Sequence, residues 1–548
     1  MRQILGKIIL LILCVIFLAG FVYFDSFDEI EESEMNLTFN LNDESIHAWS
    51  DGEVYYLFLP SYADEKDVEL SFFSDKIQLV EQNKLLEHGD SLVNIPFGEI
   101  ITCKNCSDGR LFSFCIMQSE HLPAVFMETD SGNIEEIWSD KDHEENGKIA
   151  VYSAEGVSLY ADGLKGIKSR GNYSFSTYEK KPFTITMKEE VSLLGLGIGK
   201  KYALISNASD PTLIRNDIAR KMDAVLLTEH DNTGHFVDLY VNGEYLGNYY
   251  LCETMEIGAE RVSITDMEAQ MDKLYQKSNY ESFDSYETDT KRAKYMEYNL
   301  TDITGGYLVE REFEDRYRLE YLDIPSSFRT DKGEHFMVKS PMYCSDEQID
   351  YIHSYFNEAE IAIFAENGIH PDTGKSYNEY IDEDSFVKKY LVEEVTKNYD
   401  GGVSSVFMYK DSDAVDGRIK AAAIWDCDMS LGNYLEWMED FSADPTGISK
   451  LAYHAHGSFW YDSLYDKDSF YQKIVEYYNS LVTPYLEHLL AEGIEEYRVM
   501  LQASAAMNEI RWKEDFDNNQ YFINRDTSFE ELSWFIAERK AYLDSVWK

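Results

Sequence analysis

The hydrophobic pattern changes along the chain, and this change limits the folds that the sequence can adopt. Between residues 36 and 118, short alternating segments such as Val54–Leu59 and Leu111–Ile116 are separated by polar turns, which predicts a small sandwich-like β module. Strand and hairpin patterns continue from residue 119, whereas helical spacing prevails later. The sequence therefore predicts an α+β fold, with a β-rich lobe over about 119–310 and a helical lobe over about 311–548.

Several local patterns mark individual elements of these lobes. Asn242-Gly243 lies between two alternating segments, which is a strong hairpin signal, and a second hairpin is predicted from Val406 to Trp425. Asp210 and Pro211 favour a helix that starts there, with the apolar face Ile214, Ile218 and Met222. Ser345 and Gln348 form a capping box, and the polar residues 267–300 are predicted to be an exposed insertion.

The N-terminal segment predicts a membrane anchor. Arg2 and Lys7 precede an apolar run, Ile8–Phe24, and an acidic stretch follows it. The run is near the lower length limit for a bilayer span, and the flanking charges place the N-terminus in the cytoplasm. Residues 1–35 are thus predicted to be a cytoplasmic stub, transmembrane helix and acidic linker, in a single-pass cell-membrane protein whose main domain is extracellular. A cleaved signal peptide is the alternative.

The distribution of charge indicates which ligands the chain can bind. The net charge is −52, which disfavours nucleic acids as partners because their phosphates would be repelled. From Lys165 to Lys221, however, the eleven basic residues outnumber the five acidic ones. These basic residues either are solvated partners of an acidic surface or line a pocket for a compact polyanion such as a nucleoside triphosphate.

The segment Lys168–Ser174 has the composition of a phosphate-binding turn. Gly171 allows close approach of the backbone, and Arg170 and Asn172 supply hydrogen-bond donors. The next predicted strand begins after Lys181, which would place a lysine near the turn. Arg170, Asn172 and Lys181 are therefore candidate nucleotide-binding residues.

Two aspartates in the later lobe are candidate metal ligands. Asp426 and Asp428 are two residues apart at the end of a predicted strand, so their carboxylates would share one face. Such a pair needs a cation or donors to neutralise it, and Mg²⁺ bridging to phosphates would do so. The alternative is an acidic turn capped by Gly432 and Asn433.

A helix end just before this second hairpin carries two further candidates. Asn398 and Asp400 could supply a second metal ligand and a proton acceptor. An ordinary helix C-terminal loop around Gly401 is the alternative.

At these residues the sequence resembles the CotH family, the atypical protein kinases named for spore coat protein H, from about Leu122 to about Trp512. The segments that carry the resemblance are Lys165–Asn172, Lys180–Phe183, Lys201–Asn207, Asp210–Asn216, Val237–Glu253, Gly305–Glu310 and Trp425–Asn433. The resemblance implies a divergent protein-kinase-like fold that binds ATP and Mg²⁺ and phosphorylates Ser on protein substrates at the cell surface. It assigns the metal to Asp426 or Asp428 and adds Arg215 and Glu253 as nucleotide-binding candidates.

Three functions remain open from the sequence alone. One is a protein serine kinase, with Asp426, Asp428, Asn398 and Asp400 as its catalytic residues. The others are a cell-surface scaffold that keeps the kinase-like fold without turnover and a carbohydrate-associated module, which the many Tyr and Trp residues suggest. The sequence departs from the family pattern at Cys427, where an aromatic residue is expected.

Overall fold

The structure, a computed structural model, describes residues 37–41, 44–72, 76–226, 228, 233–314, 317–318, 324–402, 404–434, 443–451, 460–517 and 527–548. The chain divides into two compact units. The first comprises residues 1–59, 63–118 and 243–245, and the second comprises residues 60–62, 119–242 and 246–548.

The first unit is built from short strands whose alternate side chains are buried. The strands are β1 (Thr38–Leu41), β2 (Glu44–His47), β3 (Trp49–Ser50), β4 (Val54–Leu59), β5 (Glu69–Ser71), β6 (Lys76–Leu79), β7 (Lys84–Glu87), β8 (Ile100–Asn105) and β9 (Leu111–Gln118). They pair with one another in the orders β2-β1-β5 and β3-β4-β9-β8-β6-β7, and β4 and β9 run parallel.

The second unit opens with a sheet that closes on itself. Its strands are β10 (Ala124–Thr129), β11 (Glu145–Tyr152), β12 (Ser158–Ser169), β13 (Phe183–Val191), β14 (Gly199–Ile205), β15 (Gly234–Val241) and β16 (Glu244–Glu253). The order is β14-β13-β12-β11-β10-β15-β16, and β16 pairs again with β14 through Tyr202 and Glu253. Apolar residues from all seven strands form one core cluster. Helices α1 (Glu135–Ser139), α2 (Tyr173–Thr177) and α3 (Arg215–Val225) lie in the connections.

A second sheet and most of the helices follow. The sheet has the order β17-β18-β20-β21-β19-β22-β23, with β17 (Ser285–Glu287), β18 (Lys291–Lys294), β19 (Tyr307–Glu312), β20 (Ser327–Arg329), β21 (His335–Ser340), β22 (Val406–Lys410) and β23 (Ile419–Ala421). The helices are α4 (Met267–Leu274), α5 (Asp346–Phe364), α6 (Glu383–Thr396), α7 (Tyr461–Tyr465), α8 (Asp468–Tyr477), α9 (Thr483–His488), α10 (Ile494–Arg511), α11 (Lys513–Asp517) and α12 (Ser528–Trp547). Short 3-10 turns occur at Lys277–Ser282, Tyr377–Glu379 and Asp400–Gly402, and π turns at Tyr478–Val482 and Leu489–Gly493. This mixture of helices and several sheets confirms the α+β class.

The local predictions had different outcomes. Asn242 and Gly243 turn between β15 and β16 with φ of 50° and 83°, as a type I′ hairpin requires, and the Ser345 capping box is present. The helix predicted after Asp210 instead begins at Arg215, because the Asp210 carboxylate accepts the backbone N–H of Thr212 and of Arg215 and holds a turn first.

The prediction of an exposed insertion over 267–300 is wrong in part. This segment folds into α4, a 3-10 turn and the strands β17 and β18. Met267, Met271, Tyr280 and Ala293 are buried in the main hydrophobic core. Met267 and Met271 have helical spacing, but the helix spans only eight residues and Tyr280 and Ala293 stand alone, so the sequence shows no sustained period.

The predicted membrane localisation is corrected by the structure. Within the part of the chain that the structure describes, no helix has both the length and the apolar character needed to cross a bilayer. The predicted anchor, Ile8–Phe24, lies outside the described residues.

Candidate active site

A large cavity in the second unit brings together residues that are far apart in the sequence. Its volume is about 670 Å³. The walls come from the end of β12 and the following turn, the segment after β14, helix α3, strands β19 and β21, and the loops that follow α6 and β23. The charged residues that line it are Lys141, Asp142, Lys168, Arg170, Arg220, Glu310, Glu312, Lys339, Asp400, Asp426 and Asp428.

The turn after β12 forms the basic wall. Gly171 adopts φ of 77°, and a Cβ at this position would lie 2.3 Å from Ser174 Oγ, so only glycine lets the chain turn tightly into α2. Arg170 lies just before this glycine, and its buried Nη1 has no hydrogen-bond partner in the described part of the protein. Burial lowers the pKa of Arg170, as does the positive charge of Arg220, while Asp426 acts in the opposite direction. A buried donor without a partner at a cavity wall is suited to an anionic ligand.

Two guanidinium groups contact the same indole ring in this cavity. The Cζ atoms of Arg170 and Arg220 each lie 4.8 Å from the ring centroid of Trp425. Trp425 is 8% exposed, and Phe407 packs edge-on against it at 6.4 Å. The indole therefore holds two like charges close together, directly before Asp426 in the chain.

Asp426 and Asp428 both line the cavity, but they are not on a strand. β23 ends at Ala421, and Asp426 has φ of 61°, which is left-handed and breaks the extended alternation that the sequence predicted. Asp428 accepts a hydrogen bond from Ser209 Oγ, and Ser405 Oγ lies 3.4 Å from Asp426 Oδ2. The two carboxylates reach the same cavity because the loop turns at Asp426.

The protonation of Asp428 indicates an environment that favours a cation. Burial, the charge of Asp426 and the charge of Asp210 raise the pKa of Asp428 to about 7, against a partial opposing effect of the Ser209 hydrogen bond. A divalent cation at this pair would remove the repulsion and favour the ionised carboxylates.

The loop that follows α6 contributes a third carboxylate to the cavity. α6 ends at Thr396 and is capped by Lys397, a non-glycine residue that adopts the left-handed conformation with φ of 50°. Backbone bonds then join the two loops: Tyr399 N–H donates to Met429 O at 3.1 Å and Leu431 N–H donates to Thr396 O at 2.7 Å. Asp400 consequently lines the same cavity as Asp426 and Asp428.

Asn398 does not line the cavity but lies behind it. Its Nδ2 donates to Glu393 Oε2 at 2.8 Å and to the carbonyl of Asp426 at 3.2 Å. Glu393 in turn forms a buried ion pair with Lys389, with a distance of 2.9 Å between Oε1 and Nζ. These contacts let Asn398 hold the Asp426 loop from behind the cavity wall, and the catalytic role predicted from the sequence stays a prediction.

Three of the predicted nucleotide-binding residues also lie outside the cavity wall. Lys181 Nζ donates to the carbonyls of Phe175 and Tyr178. Arg215 is fully buried in an ion pair with Asp210. Glu253 pairs with Arg261, with 3.1 Å between Oε2 and Nη1. All three are engaged in holding the fold, because each meets a local partner that the sequence pattern did not reveal.

The remaining predicted residue, Asn172, does line the cavity. Its Oδ1 accepts a hydrogen bond from Lys141 Nζ at 2.6 Å. Sequence reasoning missed Lys141, Arg220 and Trp425 in this wall. Only Arg220 had a usable signal, since it belongs to the basic stretch from Lys165 to Lys221.

The donor set fits magnesium better than a closed transition-metal site. Among the described residues, one group of three His, Cys, Asp or Glu side chains has ligand atoms all within 4.8 Å of one another, and it is Glu136, His143 and Glu145, outside the cavity lining. The three cavity aspartates are therefore more widely spaced. Mg²⁺ commonly takes one or two carboxylates and completes its shell with water and substrate phosphate oxygens, as Asp426 and Asp428 would allow.

Comparison with known families agrees with this geometry. The family model described as CotH kinase protein matches residues 167–543, which include Arg170, Asp400, Asp426 and Asp428. The chain belongs to the CotH kinase family. No curated protein matches the sequence. The match confirms the family expected from the sequence, and the cavity of this CotH protein lies within the matched region.

Proposed function

We propose that this CotH protein binds ATP with Mg²⁺ in the cavity and phosphorylates serine residues of protein substrates, on a divergent protein-kinase-like fold. The observation that carries the proposal is the convergence of three aspartates, Asp400, Asp426 and Asp428, with the buried guanidinium of Arg170 in one cavity. Phosphoryl transfer is catalysed mainly by positioning and by neutralising charge, and this set of residues supplies both signs.

Each group in the cavity has a part in the proposed reaction. Arg170 and Lys168 bind phosphate oxygens, and Asp426 and Asp428 would hold Mg²⁺, which supplies further neutralisation of the phosphate charge when bound. Asp400 orients the serine hydroxyl and accepts its proton as the serine oxygen bonds to the γ-phosphorus. The bond from the γ-phosphorus to the bridging oxygen breaks, and ADP leaves.

Thermal unfolding with Mg·ATP tests the binding part of this proposal. A ligand at about 100 times its Kd stabilises the native state by roughly 2.7 kcal/mol, so the melting temperature of the wild-type chain should rise. Asp426→Asn and Asp428→Asn should each remove most of the Mg²⁺-dependent part of this rise. Asp289→Asn, which changes an exposed aspartate outside the cavity, is the matched control and should keep the full rise.

Transfer of labelled γ-phosphate separates a kinase from a silent scaffold. We expect the wild-type chain to label serine in a general protein acceptor such as casein or in itself, and Asp400→Asn to reduce the rate by about 10²-fold or more while Mg·ATP still binds. Binding without any transfer would support the scaffold. No binding of Mg·ATP would contradict the proposal altogether.

A further inference from the structure

Trp425 lies where the basic and acidic parts of the cavity meet. It has no charge, yet two arginines from distant elements stack on its ring and a candidate metal ligand follows it in the chain. Arg170 comes from the turn after β12 and Arg220 from α3, so the indole is the contact that these two elements share in the cavity.

The contacts of Arg170 and Arg220 with the Trp425 ring reduce the repulsion between the two guanidinium groups. Two guanidinium groups held together in a partly buried site repel one another, and Arg220 lowers the pKa of Arg170 for this reason. A cation over an indole face is stabilised by the ring electrons, more strongly when water is excluded, and Trp425 is almost fully buried. The indole thus offsets part of the repulsion through its ring face, while the edge of the Arg170 guanidinium keeps an unused donor, Nη1.

Arg170 keeps an unused donor in this stack. Its Nη1 is buried and has no hydrogen-bond partner in the described part of the chain, although it belongs to a residue that lines the cavity. A guanidinium with its face on an aromatic ring and one donor nitrogen unused is suited to binding a phosphate oxygen.

We propose that Arg170, Trp425 and Arg220 form a polyphosphate clamp, in which Trp425 is a positioning residue that holds both guanidinium groups toward the phosphate chain of the donor nucleotide. This proposal rests on the proposed function for its biological ligand. It goes further in two respects. Phosphate recognition is assigned to a pair of arginines that acts without the metal, and the uncharged Trp425 positions both of these arginines.

The clamp predicts binding that does not need Mg²⁺ or the nucleoside. Inorganic tripolyphosphate, titrated into the full chain in EDTA, should bind to the wild type with an affinity that falls as salt is added. Trp425→Leu, which keeps an apolar side chain but removes the π face, should weaken this binding by about tenfold or more, as expected for the loss of two cation–π contacts. Trp425→Phe keeps an aromatic face and should stay within about threefold of the wild type.

Two controls separate the clamp from general damage. Trp534→Leu removes a tryptophan that is 55% exposed and should leave tripolyphosphate affinity unchanged. Circular dichroism and melting curves show whether Trp425→Leu is folded. If Trp425→Leu is unfolded, tryptophan fluorescence tests the clamp instead. Tripolyphosphate should change the emission of the wild type, and this change should be absent in Trp425→Phe.

The outcomes are distinct from those of the kinase test. If the wild type does not bind tripolyphosphate, if Trp425→Leu binds it like the wild type, or if Trp425→Phe is as weak as Trp425→Leu, the clamp is wrong even where phosphate transfer is observed. With Mg·ATP the clamp also predicts a higher KM for Trp425→Leu at a kcat that changes by less than threefold. A scaffold without turnover could still bind tripolyphosphate, so the clamp can hold while the kinase proposal fails.

Discussion

Asp428 shows at the scale of one residue how a cavity can favour a ligand that carries positive charge. The raised pKa means that the folded chain without metal holds a proton on this carboxyl between about pH 4 and 7, where the unfolded chain has lost it. The unfolded state therefore binds fewer protons in this range, and Asp428 makes the protein less stable as the pH rises from 4 to 7. Above pH 7 a cation can take the place of the proton.

A comparison of melting temperatures across pH tests this interpretation. In EDTA, Asp428→Asn should gain stability relative to the wild type as the pH rises from 4 to 8, by an amount on the order of 2 kcal/mol. Added Mg²⁺ should close the gap at pH 8 by stabilising only the wild type. Asp223 is also buried, and burial raises its pKa to about 7, so it too makes both chains less stable as the pH rises. The informative quantity is therefore the difference in stability between Asp428→Asn and the wild type at each pH. A difference that does not depend on pH would contradict the account.

At the scale of elements, the turn between β12 and α2 depends on one glycine. Gly171→Ala would place a Cβ 2.3 Å from Ser174 Oγ in a backbone with φ of 77°, so the Ser174 hydroxyl must move and the left-handed turn beside Arg170 becomes strained. We expect a loss of about 1–2 kcal/mol in stability and at least a fivefold weaker affinity for Mg·ATP. Isothermal titration and thermal unfolding measure the two effects.

Gly132→Ala is the matched control for this turn. Gly132 also has a positive φ, of 69°, but nothing lies within 4 Å of the added Cβ. It should lose stability to a similar degree without any change in nucleotide affinity. If both variants weaken nucleotide binding equally, the turn has no special part in the site.

The elements also show how far the sequence could predict the fold. The hairpin at Asn242 and the capping box at Ser345 depend on neighbours within a few residues, so their patterns were sufficient. The start of α3 was misplaced because Asp210 satisfies a turn before the helix. The conformation at Asp426 could not be predicted, since a positive φ is uncommon at any residue other than glycine, even though Asp adopts it more readily than most.

The site itself was only partly predictable, because some of its residues are far apart in the sequence. Arg170, Asp400, Asp426 and Asp428 were predicted from their residue types and spacing, and the cavity includes all of them. The contacts of Arg220 with Trp425 join residues about two hundred positions apart, which no local pattern reveals. Lys180 and Lys181 were equivalent in the sequence, but Lys180 Nζ is the one that supports the cavity wall, through the carbonyl of Ser206 at 2.7 Å.

At the scale of the whole molecule, the C-terminal helix is tied to the site through a buried ion pair. Arg539 on α12 contacts Glu394 on α6, with 2.8 Å between Nη2 and Oε1, and both side chains are at most 1% exposed. Arg539 also donates to the carbonyl of Gly447 at 2.6 Å. α12 therefore braces the end of α6, from which the Asp400 loop departs.

Removing this arginine should damage the whole fold. Arg539→Leu leaves Glu394 buried without its partner and should cost about 3–5 kcal/mol of unfolding free energy, measured by urea denaturation. Glu538→Gln, at the exposed neighbouring position, should change stability by less than about 0.5 kcal/mol. A small effect of Arg539→Leu would show that α12 is not needed to hold α6.

In the proposed function, the triphosphate and its metal occupy the cavity between the arginines and the aspartates. The most direct test is a crystal structure of the chain with Mg²⁺ and a non-hydrolysable ATP analogue. We predict phosphate oxygens within hydrogen-bonding distance of Arg170 and Arg220, with the metal on Asp426 or Asp428. An analogue bound elsewhere, or bound here with its phosphates away from both arginines and its metal away from both aspartates, would contradict the account.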